Sequence, residues 1–71
     1  MVNSQVAANI KRLIKKGGYK QYAIADRADI DRKKFNDMLN GRRIIRTENI
    51  VPIANALYVT PNELFQIGNI A

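Results

Sequence analysis

The chain has 71 residues, a net charge of +6, and neither Cys nor His. So short a chain supports one domain with a small core, burying about 60% of its unfolded surface; without thiols or imidazoles it lacks disulfides, the usual zinc ligands and the commonest catalytic base. No apolar run approaches the roughly 20 residues of a membrane span, and no charged start followed by an apolar stretch marks a signal peptide, so a cytoplasmic protein with no membrane partner is expected.

Charge is distributed unevenly along the chain. All twelve Lys and Arg lie at or before Arg46, so the first 46 residues, with four carboxylates, carry +8, whereas the last 25 hold only Glu48 and Glu63. A cationic part that meets a polyanion and an apolar part that packs or pairs fit this split. Solvated lysines on a small basic protein explain the charge alone equally well.

The first helix is predicted from Ser4, as N-cap, to Lys16, with Val6, Ile10, Leu13 and Ile14 on one face and Gly17-Gly18 ending it. Lys11, Arg12, Lys15 and Lys16 fall on its wet side near the C-terminus, where they complement the helix dipole. A second helix, about Gln21 to Ala28, buries Ile24, Ala25 and Ala28; the small Ala25 lets two backbones cross closely. Asp29 then sits where the chain reverses, in a left-handed conformation, Ile30 tucks inward, and Asp31 caps the next helix through its side-chain oxygen.

The third helix runs from Arg32 to about Asn40. Counting about 100° per residue from Arg32, Phe35, Met38 and Leu39 fall near 300°, 240° and 340°, which leaves Lys33, Asn36 and Asp37 around the exposed direction. Arg32 and Lys34 flank that direction and are long enough to reach a base edge or a phosphate. Asn40-Gly41 closes the helix. Arg42, Arg43 and Arg46 occupy a loop in which Ile44 and Ile45 anchor on the core or on a partner. Pro52 favours a fourth helix starting near Asn49 rather than Thr47, or a distorted first turn, with Ile50, Ile53, Ala54 and Leu57 inward. Thr60-Pro61-Asn62-Glu63 is a fifth start with a capping box, followed by Leu64 and Phe65. The tail, residues 66–71, keeps Ile67 and Ile70.

Two short apolar-faced helices joined by a tight polar turn, the second apolar on one side and cationic on the other, make a helix-turn-helix over about residues 21–40, a unit whose second helix fits the DNA major groove. Gln21, Ala25, Asp29-Ile30, Phe35 and Asn40-Gly41 at this spacing, with Ala56-Leu57-Tyr58-Val59-Thr60-Pro61-Asn62-Glu63-Leu64 further on, resemble the Cro and phage-repressor (XRE-type) family between roughly Ile10 and Phe65. The resemblance implies an all-α fold: one compact five-helix lambda-repressor-like domain over residues 1–71, with the motif on helices 2 and 3, in a bacterial or phage protein. It implies base reading by Arg32, Lys33, Asn36 and Asp37, and phosphate contact by Gln21, Asn40, Arg42 and Arg43, to which Lys20, Lys34 and Arg46 add. The sequence departs from the family where Asp29 and Tyr58 replace Gly, Ile24 replaces Leu, and Lys20 replaces a Ser or Thr cap. Asp37, the one acid on the reading face, could accept from cytosine, orient a neighbouring Lys, or repel wrong sites.

These observations predict a sequence-specific regulator of double-stranded DNA, a repressor working as a homodimer on a palindromic operator. Pairing falls to Ile44, Ile45, Ile67 and Ile70 and need not be strong before DNA is present; no cofactor, metal or small-molecule ligand is expected. The alternative is a protein-interaction module on the same scaffold, such as an antitoxin or a phage or mobile-element accessory protein, whose third helix should then expose apolar or aromatic residues instead of cations. Catalysis is the poorest fit, since Ser4 is the only Ser and the six acids are scattered.

Overall fold

Five α-helices follow one another over residues 2–66, the part described by the computed structural model: α1 (Val2–Gly17), α2 (Gln21–Arg27), α3 (Arg32–Leu39), α4 (Thr47–Ala56) and α5 (Pro61–Leu64). None is long and apolar enough to cross a membrane. Helix α2 packs on α3 and α4, α1 on α3 and α5, and α4 on α5. Their apolar stripes meet in one core, where Ile10, Ile24, Phe35, Ile53 and Leu64 are completely enclosed. A core centred on one such residue from each helix leaves the opposite face of every helix to solvent.

The connections repeat one device. At the ends of α1, α2, α3 and α4 a residue takes a left-handed conformation, and two amides fold back onto the last turn's orphan carbonyls: Gly18 and Tyr19 onto Lys15 and Ile14, Asp29 and Ile30 onto Asp26 and Ala25, Gly41 and Arg42 onto Met38 and Asp37, Tyr58 and Val59 onto Asn55 and Ala54. These are Schellman reversals. After three of them the following side chain, Tyr19, Ile30 or Val59, packs against the core. After α3 it is Arg42, exposed to solvent. Gly18 and Gly41 adopt positive φ freely, whereas Asp29 (φ 58°) and Tyr58 (φ 60°) do so with a Cβ present.

Two helix starts and one cap differ from the sequence expectation. Helix α1 starts at Val2, so Ser4 is a helical residue rather than a cap; tertiary bonds hold its first turn, the Asn3 carboxamide donating to the Ile45 carbonyl and accepting from the Ile45 amide, both at 3.1 Å. Helix α4 starts at Thr47, with Pro52 inside it. The Asn49 side chain accepts from the Arg46 amide at 3.1 Å, so the expected cap residue acts from the third helical position; the carbonyl that Pro52 leaves without an amide belongs to Glu48, an exposed residue. Asp31 makes no side-chain cap bond to α3, although its carbonyl accepts the Phe35 amide at 2.9 Å and its charge still lies at the positive end of the helix dipole. At α5 the expected reciprocal bond is present, Glu63 accepting from the Thr60 amide at 2.9 Å.

Two polar contacts tie distant elements together. Asn9, in the middle of the apolar stripe of α1, is buried and donates to the carbonyls of Leu64 and Gln66, each at 2.9 Å. Arg27 donates to the Ala56 carbonyl at 3.0 Å, its guanidinium 5.8 Å and 5.0 Å from the ring centres of Tyr19 and Tyr58. It thereby closes the C-terminus of α4 with a cation on the negative end of that helix.

Candidate nucleic-acid interface

Helix α3 is held from behind by Phe35, Met38 and Leu39, all buried. The same 3.6-residue period that buries them turns Arg32, Lys33 and Asn36 outward, and all three are exposed. Lys20 precedes α2, Gln21 is its first residue, Asn40 caps α3, and Arg42, Arg43 and Arg46 follow in the loop, each of them exposed. The cationic side chains expected from the sequence therefore share the α2–α3 unit and its exit.

Within that surface the side chains are organised into three groups. Gln21 Nε2 donates to Asn36 Oδ1 at 3.0 Å, a contact that crosses from the start of α2 to the middle of α3. Asn40 Nδ2 donates to the Asn36 carbonyl at 2.9 Å and to Asn36 Oδ1 at 3.2 Å. Gln21, Asn36 and Asn40, placed separately by the sequence, thus form one network.

Arg32 belongs to the second group. Its Nε and Nη2 engage both carboxylate oxygens of Asp26, at 3.0 Å and 2.7 Å, and its guanidinium lies 4.9 Å from the Tyr22 ring centre. The hydrogen bond from Arg32, more than the charge beside it, holds the Asp26 carboxyl below its ordinary range. Three of the five guanidinium hydrogens remain for a ligand.

Asp37 centres the third group. Lys33 Nζ and an Arg42 Nη each approach it at 3.4 Å, and its side chain is only 17% exposed. Burial pushes its carboxyl up, but the bonds and charges of Lys33 and Arg42 outweigh this and leave it below the usual range. Asp37, expected on the exposed face, is therefore largely covered, with one cation at each of its carboxylate oxygens. The Arg42 turn brings this about, because the amides of Arg42 and Arg43 both fold back onto the Asp37 carbonyl.

Lys34 stands apart from these groups. With Arg43 and Arg46 it lines a shallow depression that also contains Asp29, Asp31 and Asn49, so its cations sit among carboxylates. Of the residues expected to pair two chains, Ile44 is 68% exposed, whereas Ile45 is only 6% exposed and belongs to the core. The correction at Ile45 follows from its two bonds to Asn3, which turn the side chain inward. Ile67 and Ile70 lie outside the described residues.

Sequence reasoning overlooked Asp26 and Tyr22 as the seat of Arg32, and Asn9 as a staple. Asn9 carried a signal: a carboxamide in the middle of an apolar stripe must find buried partners. Nothing in the local pattern joins Asp26 to Arg32, which meet only because the reversal at Asp29 folds α3 against α2.

A short helix crossed by a second one after a left-handed turn, the second locked by its apolar face and presenting amide and ammonium groups outward, defines a helix-turn-helix DNA-binding protein. Residues 9–67 match the Cro/C1-type HTH DNA-binding domain family, and the chain belongs to it. It is thus a transcriptional regulator of the kind that binds double-stranded DNA, and the family is not an enzyme class. The chain is similar in structure to the restriction-modification controller protein C.AhdI from Aeromonas hydrophila, with a TM-score of 0.81 and 27% identity over 87% of this chain and 94% of that one. No curated protein sequence is significantly similar to the chain.

Proposed function

We propose that the protein is a sequence-specific repressor that binds a palindromic operator as a homodimer and blocks promoter access sterically. The observation that carries this reading is the face of α3: Lys33 and Asn36 point outward from a helix whose other side is fixed in the core, with no large apolar side chain on that face. A protein-docking surface would centre on apolar or aromatic groups instead. In this reading α3 enters the major groove, and Lys33, Asn36 and the free hydrogens of Arg32 reach base edges. Gln21 and the cations Lys20, Lys34, Arg42, Arg43 and Arg46 contact phosphates, while Asn40, expected from the sequence to do so, spends its side-chain N–H groups on Asn36. Asp37 acts as a positioning residue, aiming Lys33 and Arg42.

One helix reads too few base pairs for selectivity, so two copies would sit on half-sites about 34 Å apart. Exposed Ile44 is the pairing contact we favour. The likeness to a controller protein supports a regulatory role. The test is selection of bound duplexes from a random pool at about 150 mM salt, where nonspecific attraction is screened. A two-fold symmetric motif is expected; binding without enrichment of any sequence would sink the proposal, and an asymmetric motif with a single protomer bound would remove the dimer.

A further inference from the structure

We infer that Asn36 selects guanine, not adenine, in each half-site, because its neighbours hold its carboxamide as a donor-only group. This rests on the proposed reading that α3 enters the major groove. The orientation of the three carboxamides follows from one fixed point. The Asn36 backbone carbonyl can only accept, so the Asn40 atom 2.9 Å from it must be Nδ2, the donor. That same Nδ2 lies 3.2 Å from one side-chain atom of Asn36, which must then be the acceptor Oδ1. The Gln21 atom 3.0 Å from that oxygen must in turn be Nε2.

Both lone pairs of Oδ1 are thereby occupied, and Asn36 Nδ2 makes no hydrogen bond among the described residues. A free carboxamide pairs with adenine by giving to N7 and accepting from the N6 amino group. Asn36 as held here has nothing to accept with, and its second N–H would face the adenine amino group, donor against donor. Guanine offers two acceptors, O6 and N7, to the two N–H groups of Nδ2. Cytosine presents a donor, and thymine a single acceptor beside a methyl group. Gln21 and Asn40 therefore act as positioning residues for base choice; Gln21 keeps a second N–H for a phosphate, whereas both side-chain N–H groups of Asn40 are engaged by Asn36.

The test uses the full chain and random-pool selection with the wild type, Asn36→Ala, Asn40→Ala and Gln21→Leu, followed by base analogues at the Asn36-dependent position. The position whose preference disappears in Asn36→Ala should be guanine, favoured over adenine by roughly tenfold, the scale of one good base contact. Inosine, which keeps O6 and N7, should bind as guanine does, whereas 7-deazaguanine should bind several-fold more weakly. Asn40→Ala and Gln21→Leu should narrow the guanine-to-adenine ratio at that position while leaving preferences elsewhere in the motif unchanged, an effect that loss of a phosphate contact does not produce. An enriched motif with adenine, cytosine or thymine at that position, or one indifferent to Asn36→Ala, overturns the inference and leaves the regulator standing. Absence of any motif overturns both.

Discussion

Asp29 occupies the reversal between α2 and α3 at φ 58°, where an L side chain is strained and glycine is not. Replacing it with Gly relieves a left-handed penalty of about 1 to 2 kcal/mol, at the low end because Asp tolerates this region better than most residues. Against this stands the extra freedom glycine gives the unfolded chain, about 0.4 to 1 kcal/mol. The carboxylate itself is exposed and makes no side-chain hydrogen bond among the described residues, so little else is lost. The net expectation for Asp29→Gly is a gain of about 0.5 kcal/mol, which in a domain of this size raises Tm by about 2 to 4 °C. Asp29→Ala is the control: it removes the carboxylate, keeps the Cβ, and should melt below the wild type. Tyr58→Gly relieves the same kind of strain (φ 60°) but loses the ring 5.0 Å from Arg27, a contact of about 0.5 to 1 kcal/mol at an exposed site, so its Tm should stay near the wild-type value. Thermal melts by circular dichroism at neutral pH read all three. A lower Tm for Asp29→Gly, or equal gains for Gly and Ala, would refute the idea that backbone strain governs stability at this turn.

Lys33→Ala should flatten the preference for operator over random duplex, whereas Arg43→Ala should weaken both alike and lower the salt slope by about 1, as measured by titrations at several salt concentrations. Asn9→Leu leaves the carbonyls of Leu64 and Gln66 without their buried donor and should cost about 1 to 3 kcal/mol in denaturant unfolding. Asp26 and Asp37 both titrate below the ordinary carboxyl value of 3.8, so their contribution to stability is present above that value and lost as pH falls through the lower folded values. Because the chain has no His, melts should be nearly flat from about pH 5 to 8 and fall in acid, with a smaller acid loss in Asp26→Asn.

The fold was legible wherever one residue type answers one local demand. Phe35, Met38 and Leu39 repeat at helical spacing and are buried together; Gly17-Gly18, Asp29 and Asn40-Gly41 mark reversals that the backbone makes. Legibility failed where a distant partner outweighed a local preference. Ser4 is a good cap in isolation, but Asn3 has the Ile45 backbone to bond, and the helix extends past Ser4 to meet it. Pro52 argues for a late start to α4, and the Asn49 bond to Arg46 prevails over it.

The site divides in the same way. Periodicity alone turned Lys33 and Asn36 outward, but whether a side chain there is free or engaged depends on how α2 crosses α3. That crossing gives Arg32 to Asp26 and Asn36 to Gln21, and no spacing rule within one helix contains it. Ile44 and Ile45 were indistinguishable as a pair because adjacent loop residues face different ways, and only the bonds to Asn3 decide which goes in.

Helix α1 adds no residue to the proposed reading face, yet Asn3 grips both backbone groups of Ile45 as a neighbouring strand would. Ile45 lies between Arg43 and Arg46, so the loop that bears these cations takes its path from the far end of the sequence. Alignment of the arm proposed to meet phosphates thus depends on the first turn of the chain, while the pitch of α3 depends on its own core residues. On that reading the path of the loop and the pitch of α3 have separate anchors, joined where Asp37 holds Lys33 and Arg42 on one carboxylate.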